Sequence, residues 1–364
     1  MSEPTSGPQA PGETCGAVRS LSSLTRRGAL VTGLAALASP FVLRSARAAG
    51  ELRVLTWEGY AEPEWVKPFE EKHGVKLSIV YTGSVDEMFA KMQGSKGADF
   101  DVVAFDTSSF KRYIDGGLIR PLDMARIPNA ANLSPAFRDV PSIRRGSDQY
   151  GIPFAWGSLP LIYDKKDFPA TPDSWEVMWD PANAQRLIAL DDANNNITLA
   201  AMVLGFKTPF NLDDAQFAAV KDKLVAQKKL LLTYYAGFDD GVNIFAQSNI
   251  KAMFSMGEPQ VAGLKAKGVD AAFTIPKEGA IGWLDCWTVS AGARDPDLAF
   301  AWLDACLSPK VGAYLSDKKS YGNTTDEAAN VRNGFTYADK LTFLETPESF
   351  EKRVALWNEV KAAP

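Results

Sequence analysis

The stretch "YGIPFAWGSLPLIYDKKDF", Tyr150 to Phe168, decides how the rest of the chain is read. It is apolar and extended in character, yet Pro153, Gly157 and Pro160 punctuate it. Proline inside a strand-like run points to an edge, a bend or a change of partner rather than to a central strand. At about 3.3 Å per residue the run is long enough to leave one domain and enter another. It is read as a strand that crosses a hinge.

Upstream, strands and helices alternate. "ELRVLTW" reads as a strand, "EPEWVKPFEEKHG" as a helix, "VKLSIVYTG" as a strand, "SVDEMFAKMQGS" as a helix, "DFDVVAFD" as a strand, and "SSFKRYIDGG" opens the next helix. Downstream, "DSWEVMWDPANAQRLIALDD", "NITLAAMVLGF", "DDAQFAAVKDKLVAQKKLLL" and "NIKAMFSMGEPQVAGLKAKG" fit a second unit of the same kind. "FTIPKEGAIGWLDCWTVSAGA" gives paired strand-like runs around a turn, a return crossing, before the helix "DPDLAFAWLDACLS". The pattern predicts an α/β fold of two lobes, each a mixed, mainly parallel sheet flanked by helices, joined by extended hinge crossings. In such sheets ligands sit at the carboxyl ends of strands, here Trp57, Gly83 and Asp106.

The chain of 364 residues, 46% hydrophobic, has enough apolar content for two lobes with proper cores. The first 48 residues read differently. Arg26 and Arg27, an apolar run from Gly28 to Leu43, and Ala46-Arg47-Ala48 as a small-x-small cleavage site predict an export signal, with the twin arginines pointing to the pathway for folded cargo. The apolar run is interrupted by Gly33 and Pro40 and falls short of the ~20 residues that span a bilayer. Removing this leader takes the net charge from −5 to −8. An acidic exported protein without a basic cluster argues against nucleic acid and anionic membrane surfaces and suits cationic ligands.

Little in the chain supports catalysis, and a lysine- or carboxylate-based exported enzyme stays open only as an alternative, because paired acids leave no reliable sequence mark. The only histidine, His73, falls where a helix ends before Gly74, so no Ser-His-Asp or Cys-His arrangement can form. Neither G-x-S-x-G nor a phosphate or dinucleotide glycine loop occurs, and no His/Cys spacing suits zinc. No cofactor or metal is expected. Adjacent Tyr234 and Tyr235 raise a ferric-iron alternative, but neighbours on a strand point to opposite faces. Beyond the leader's Cys15, Cys286 and Cys306 leave a disulfide and two buried thiols equally open. The remaining chemistry lies in aromatics and acids near strand ends and crossings: Trp57, Asp106, Glu258, Trp283, Asp285 and Tyr321. Rings for cation–π contact and carboxylates for N–H donors are what an ammonium ligand requires.

"ELRVLTWEGY", "DFDVVAFDTSSFKRYIDGGLIRPLD", "YGIPFAWGSLPLIYDKKDF", "DSWEVMWDP", "IPKEGAIGWLDCWTVSAGA" and "YLSDKKSYGN" resemble, in order and spacing, the spermidine/putrescine-binding proteins of bacterial ABC importers. The resemblance implies a monomeric two-lobed periplasmic binding protein that carries a polyamine to a transmembrane permease and catalyses nothing. It implies lobe 1 over residues 49–157 and 284–316, and lobe 2 over 158–283 and 317–364. Trp57 would line the ligand slot, Trp283 would stack on the alkyl chain, Asp285 would pair with an ammonium, and Tyr321 would lie near the same end. Glu258 falls where some members contact an amine through an aspartate.

Other positions depart from the family. Asn194, Asn195 and Asn196 stand where the family supplies a glutamate for the far amino group, and Ser255 stands where a tryptophan is common. Phe105-Asp106, followed by Ser108, replaces a common Pro-Ser. Glu58 sits where relatives often carry a small polar residue, and is either an amine partner or a solvated rim charge; Tyr60 is expected to pack the start of the next helix. The missing far-end acid leaves two expectations: Asp106 or Glu58 supplies the charge from the opposite lobe, or the ligand is a monocation or an amine bearing a polar group that asparagine recognises.

Overall fold

The computed structural model describes residues 50–364. The expected export signal over residues 1–48, with Cys15, lies outside the described residues.

The first half begins as a βαβαβ run: β1 (Gly50–Thr56), α1 (Pro63–His73), β2 (Val75–Tyr81), α2 (Val85–Ser95), β3 (Val102–Asp106) and α3 (Phe110–Asp115). A series of 3-10 turns and the small hairpin β4 (Arg144–Arg145) and β5 (Asp148–Gln149) lead to β6 (Ile152–Leu159). Pro160 alone separates β6 from β7 (Leu161–Asp164). The second unit holds β8 (Leu187–Leu190), α4 (Ala193–Val203), α5 (Asp214–Lys228), β9 (Leu231–Tyr235), α6 (Phe238–Gln247), β10 (Ala252–Phe254), α7 (Pro259–Ala266) and β11 (Ala271–Thr274). The chain returns through β12 (Ala280–Val289), α8 (Pro296–Cys306), α9 (Pro309–Lys319), β13 (Gly322–Asn323), α10 (Glu327–Asn333), β14 (Leu341–Phe343) and α11 (Phe350–Ala362).

Two sheets result. The first runs β13-β6-β12-β3-β1-β2, with β14 beside β12, and the second runs β11-β7-β10-β8-β9. The βαβ neighbours are parallel, whereas the strands that cross the hinge, β6, β7 and β12, pair antiparallel with their sheet neighbours β3, β10 and β11 or with each other. Each sheet is thus evenly mixed, because a strand arriving from the other lobe enters without the helical crossover that parallel pairing needs. Each has its own core. Trp287, Trp302, Phe105 and Phe110 anchor one, and Trp175, Phe254 and Tyr235 the other. Helix α11 packs on α4 and α5 in a smaller third cluster around Val220 and Trp357.

The hinge reading of Tyr150–Phe168 rests on pairing. Leu159 is still opposite Ile281 in the first sheet, while Leu161 faces Phe254 and Thr274 in the second. Two expectations need correction. The runs around Pro276 do not pair as a hairpin, since β11 joins the second sheet and β12 the first. Residues 317–344 do not leave for the second lobe at 316. Gly322 and Asn323 pair with Trp156 and Ala155, and Leu341 to Phe343 pair with Ala280 to Gly282, so the crossing comes after Phe343; α11 then packs on α4 and α5, and Tyr337 also touches Phe273 of the second sheet. Gly322 permits this pairing, because a Cβ there would lie 2.3 Å from the Trp156 ring. Cys286 and Cys306 are buried free thiols on β12 and α8.

Candidate functional site

The site starts where β1 ends. Trp57-Glu58-Gly59-Tyr60 forms a turn closed by Tyr60 N–H donating to the Trp57 carbonyl at 3.3 Å. Gly59 has φ +92°, the left-handed geometry that the third position of a type II turn demands. The turn folds Tyr60 back under the sheet, where its hydroxyl donates to Asp285 Oδ2 at 2.6 Å across 225 positions of sequence. The expected packing role of Tyr60 is therefore only part of its position. Trp57 is half-buried beside the same carboxylate, its Nε1 buried and without a well-formed hydrogen bond.

Asp285 lies in the middle of β12 where pairing with β6 shifts register between Asp285 and Cys286. Such a bulge re-aims a side chain. On the other side of β12 the register is regular and puts Asp285 directly opposite Asp106, the last residue of β3. Side chains directly opposite on antiparallel strands share a face. Two carboxylates thus stand together at the carboxyl edge of the first sheet. Asp285 is 7% exposed and appears in no ion pair among the described residues. Burial, then the charge of Asp106, pushes its pKa up to about 8, against the opposing pull of Tyr60 and Trp57. Asp106 keeps part of its surface open, but burial of its carboxyl also raises its pKa, opposed by the backbone N–H and hydroxyl of Ser108.

Aromatic rings complete this end. Tyr321 meets Tyr60 at 6.1 Å and Trp283 at 5.5 Å between centroids, both edge to face. Trp283 lies flat against Gly157, where a Cβ would come within 2.4 Å of its Cζ2. Tyr321 immediately precedes β13 and so belongs with the first sheet, which corrects the expectation that it faces the ligand from the other lobe. Glu58 is exposed at the rim.

Asp106 and Ser108 also line a cavity of about 490 Å³ between the two units. Its far wall is the start of α4, with Asp192, Asn194 and Asn195, and the crossing at Thr346 and Phe350 closes one side. Asp192 caps α4, its Oδ1 accepting from the Asn195 backbone N–H at 2.7 Å, and burial raises its pKa. Asn195 Oδ1 is buried without a partner. Asp192 was passed over in the sequence because an aspartate before a helix is sufficiently explained as a cap. Asn196 is buried and spends its amide on the Leu190 and Asp192 carbonyls. Asp106 stands on the first sheet and lines the cavity across from Asn194 and Asn195, the place expected of a charge supplied from the opposite lobe, and Asp285 lies directly beside it on β12.

Glu258 is not brought to this cluster. Its Oε1 accepts from the Ser158 N–H at 2.9 Å, the Ser158 hydroxyl at 2.6 Å and the Tyr337 hydroxyl at 2.6 Å, which ties the start of α7 to the hinge strand. Ser255 likewise binds the Pro160 carbonyl, at 2.6 Å. Tyr234 and Tyr235 diverge as a strand requires: Tyr235 donates to the Phe254 carbonyl at 3.0 Å in the second core, while Tyr234 packs edge to face on Trp357 at 4.8 Å. The two phenols do not converge on an iron site.

A family model described as bacterial extracellular solute-binding protein matches residues 64–342, most of the chain. The chain belongs to this family. Similar proteins include the putrescine-binding periplasmic protein PotF of Escherichia coli (strain K12), 26% identical over 85% of this chain and 91% of its own length. A spermidine/putrescine-binding periplasmic protein of the same organism is 25% identical over 84% of this chain and 86% of its own. Among solved structures, the substrate-binding protein PotD of Streptococcus pneumoniae superposes with a TM-score of 0.76 at 19% identity, covering 86% of this chain and 99% of that one, which confirms the fold. No helix among the described residues of the binding protein is long and apolar enough to cross a membrane.

Proposed function

We propose that this binding protein is the exported, periplasmic component of an ABC importer that takes a cationic amine of the polyamine class into the cleft, closes on it as a monomer, and docks on a transmembrane permease. Trp57, Asp106, Trp283, Asp285 and Tyr321 form the amine end, Ser108 and Asn195 line the cleft beyond, and Glu58 lies at the rim. The observation that carries this reading is the buried Asp285, facing Asp106 with no cation paired to it among the described residues. Two carboxylates held together away from water repel each other unless a proton or a cation comes between them. An ammonium supplies that charge and up to three N–H donors, and the surrounding rings suit its methylenes. Putrescine and spermidine, for which the relatives are named, agree with it. Closure follows from contacts made by both walls of the cleft, with β6–Pro160–β7, residues 275–279 and residues 344–349 as the connections that bend.

Calorimetric titration of putrescine and spermidine into ligand-free mature protein tests the reading. Binding is expected, and Asp285→Asn is expected to weaken it at least a hundredfold while Tyr234→Phe leaves it within a factor of three. Absence of heat with every amine, or equal effects of the two substitutions, defeats the assignment.

A further inference from the structure

The two ends of the cleft differ in charge. At the first sheet stand Asp106 and Asp285; the nearby cation, Arg112, is already paired with Asp86 at 2.9 Å. At the second unit a guanidinium lies beneath the wall. Arg353 of α11 is fully buried and forms no ion pair among the described residues. Its NH1 donates to Asn194 Oδ1 at 2.9 Å and to the Thr198 hydroxyl at 3.0 Å, and its NH2 to the Pro209 carbonyl at 2.5 Å. A guanidinium has donors only, so the atom of Asn194 that meets it must be the amide oxygen. The amide nitrogen is thereby fixed on the other side of the group. Among the described residues no acceptor meets it, and the residue lines the cavity. Beside it, Asn195 Oδ1 is buried and unpartnered. Asp192 is the one acid of this wall; its Oδ1 is engaged as the cap at the α4 N-terminus, and burial, with the charge of Asp191, favours its neutral form.

On the amine reading above, we propose that the second unit recognises a neutral amide, so that the cognate ligand is a mono-N-acylated diamine or an ω-amino amide: one ammonium at Asp285 and Asp106, one amide between Asn194 and Asn195. The ligand carbonyl accepts from Asn194 Nδ2, and the ligand N–H donates to Asn195 Oδ1. A free ammonium at this end meets an open donor in Asn194 and a buried guanidinium behind it. Buried donors and acceptors built for a particular partner reject one that leaves them unpaired more strongly than an apolar wall does.

Paired titrations of N-acetylputrescine and putrescine into the mature protein decide the matter. The acetylated ligand is expected to bind at least tenfold tighter. Putrescine binding as tightly or tighter overturns this inference and leaves the amine reading standing, whereas no binding by either removes both. Two isosteric substitutions test the residues. Asn194→Asp exchanges the donor for an acceptor and is expected to cost the acetylated ligand at least tenfold. Asn195→Asp adds charge and is expected to shift the ratio toward putrescine by at least tenfold. Unchanged ratios in both variants, with thermal melts showing them folded, overturn the assignment.

Discussion

Amine binding should depend steeply on pH, because Asp285 must lose a proton to receive an ammonium. Its pKa, pushed up to about 8 by burial and by Asp106, leaves it mainly protonated in the empty protein at pH 7. Asp106, whose own pKa burial also raises, titrates as its partner, and the remaining groups that face it do not compete. Burial raises the phenols of Tyr60 and Tyr321 above their ordinary value and the Cys286 thiol well above its own, and Arg112 acts on the pair only through Asp106. The competent, ionised fraction rises from ~1% at pH 6 to ~90% at pH 9, and apparent affinity scales with that fraction. The gain is roughly ninetyfold, or about 2.7 kcal/mol. A primary alkylammonium, with a pKa near that of lysine at ~10.4, keeps its charge over this range. Titration of putrescine or its acetylated form at constant ionic strength from pH 6 to 9 measures the slope, and repetition in buffers of different ionisation enthalpy counts the proton, ~0.9 released per amine at pH 7. Tyr60→Phe removes a donor that favours the carboxylate and should move the midpoint to higher pH. Asp106→Asn removes the like charge and should move it lower. Affinity that stays flat from pH 6 to 9 with no proton released refutes the carboxylate-pair account.

Three further outcomes follow from the same geometry. A carboxyl whose folded pKa lies above its unfolded value makes the folded state bind the extra proton, so its stabilising share is full below the unfolded pKa near 4 and is lost as pH rises toward 8; the ligand-free protein should lose stability over that window, by at most about 5 kcal/mol from this group, and Asp285→Asn should melt higher than the parent at pH 8 while failing to bind. A lower melting temperature for Asp285→Asn at pH 8 contradicts this. Asp101, 1% exposed, holds Arg53 through both carboxylate oxygens at 2.6 and 3.0 Å and accepts from the Arg294 N–H at 2.7 Å, so Asp101→Asn should cost about 3–5 kcal/mol in urea unfolding and leave amine affinity unaltered; a cost under 1 kcal/mol shows the pair to be dispensable. Gly157→Ala forces the Trp283 ring to move and should weaken amine binding at least tenfold, whereas Gly83→Ala, with nothing within 4 Å of the added carbon, should not; equal effects remove Trp283 from the site.

What the sequence discloses depends on how local the deciding interaction is. The hinge at Pro160, the βαβ run and the placing of Trp57 and Asp106 at strand ends follow from periodicity and turn chemistry within a few residues. Tyr60 could not be read this way. Its hydroxyl finds Asp285 only after β12 has come in beside β3, and an aromatic before a helix has a sufficient local explanation in packing. The limit of the first lobe was misplaced for a similar reason. β13 has two residues, too few for a pattern, and it is held by Trp156 packed against Gly322 rather than by any signal of its own. Glu258 had the residue type of an amine partner, but three donors from the hinge strand and Tyr337 already satisfy it, which no spacing reveals.

The departure at Asn194 to Asn196 gains its meaning from a residue far away in sequence. As a local substitution, asparagine for an acid only removes a charge. With Arg353 buried behind it, the same asparagine becomes an oriented donor, and an acid in its place would pair with the guanidinium through one oxygen and turn an acceptor to the cleft through the other. Helix α11, which returns to the second unit after the chain has completed the first, therefore sets the polarity of the wall it never exposes. Charge is concentrated at one end of the cleft, where Asp106 has joined Asp285, and withdrawn from the other. The two changes act in the same direction: each additional carboxylate at the amine end strengthens the hold on one ammonium, and each one lost opposite weakens the claim on a second. A binding protein altered in this way selects among amines by what their other end carries.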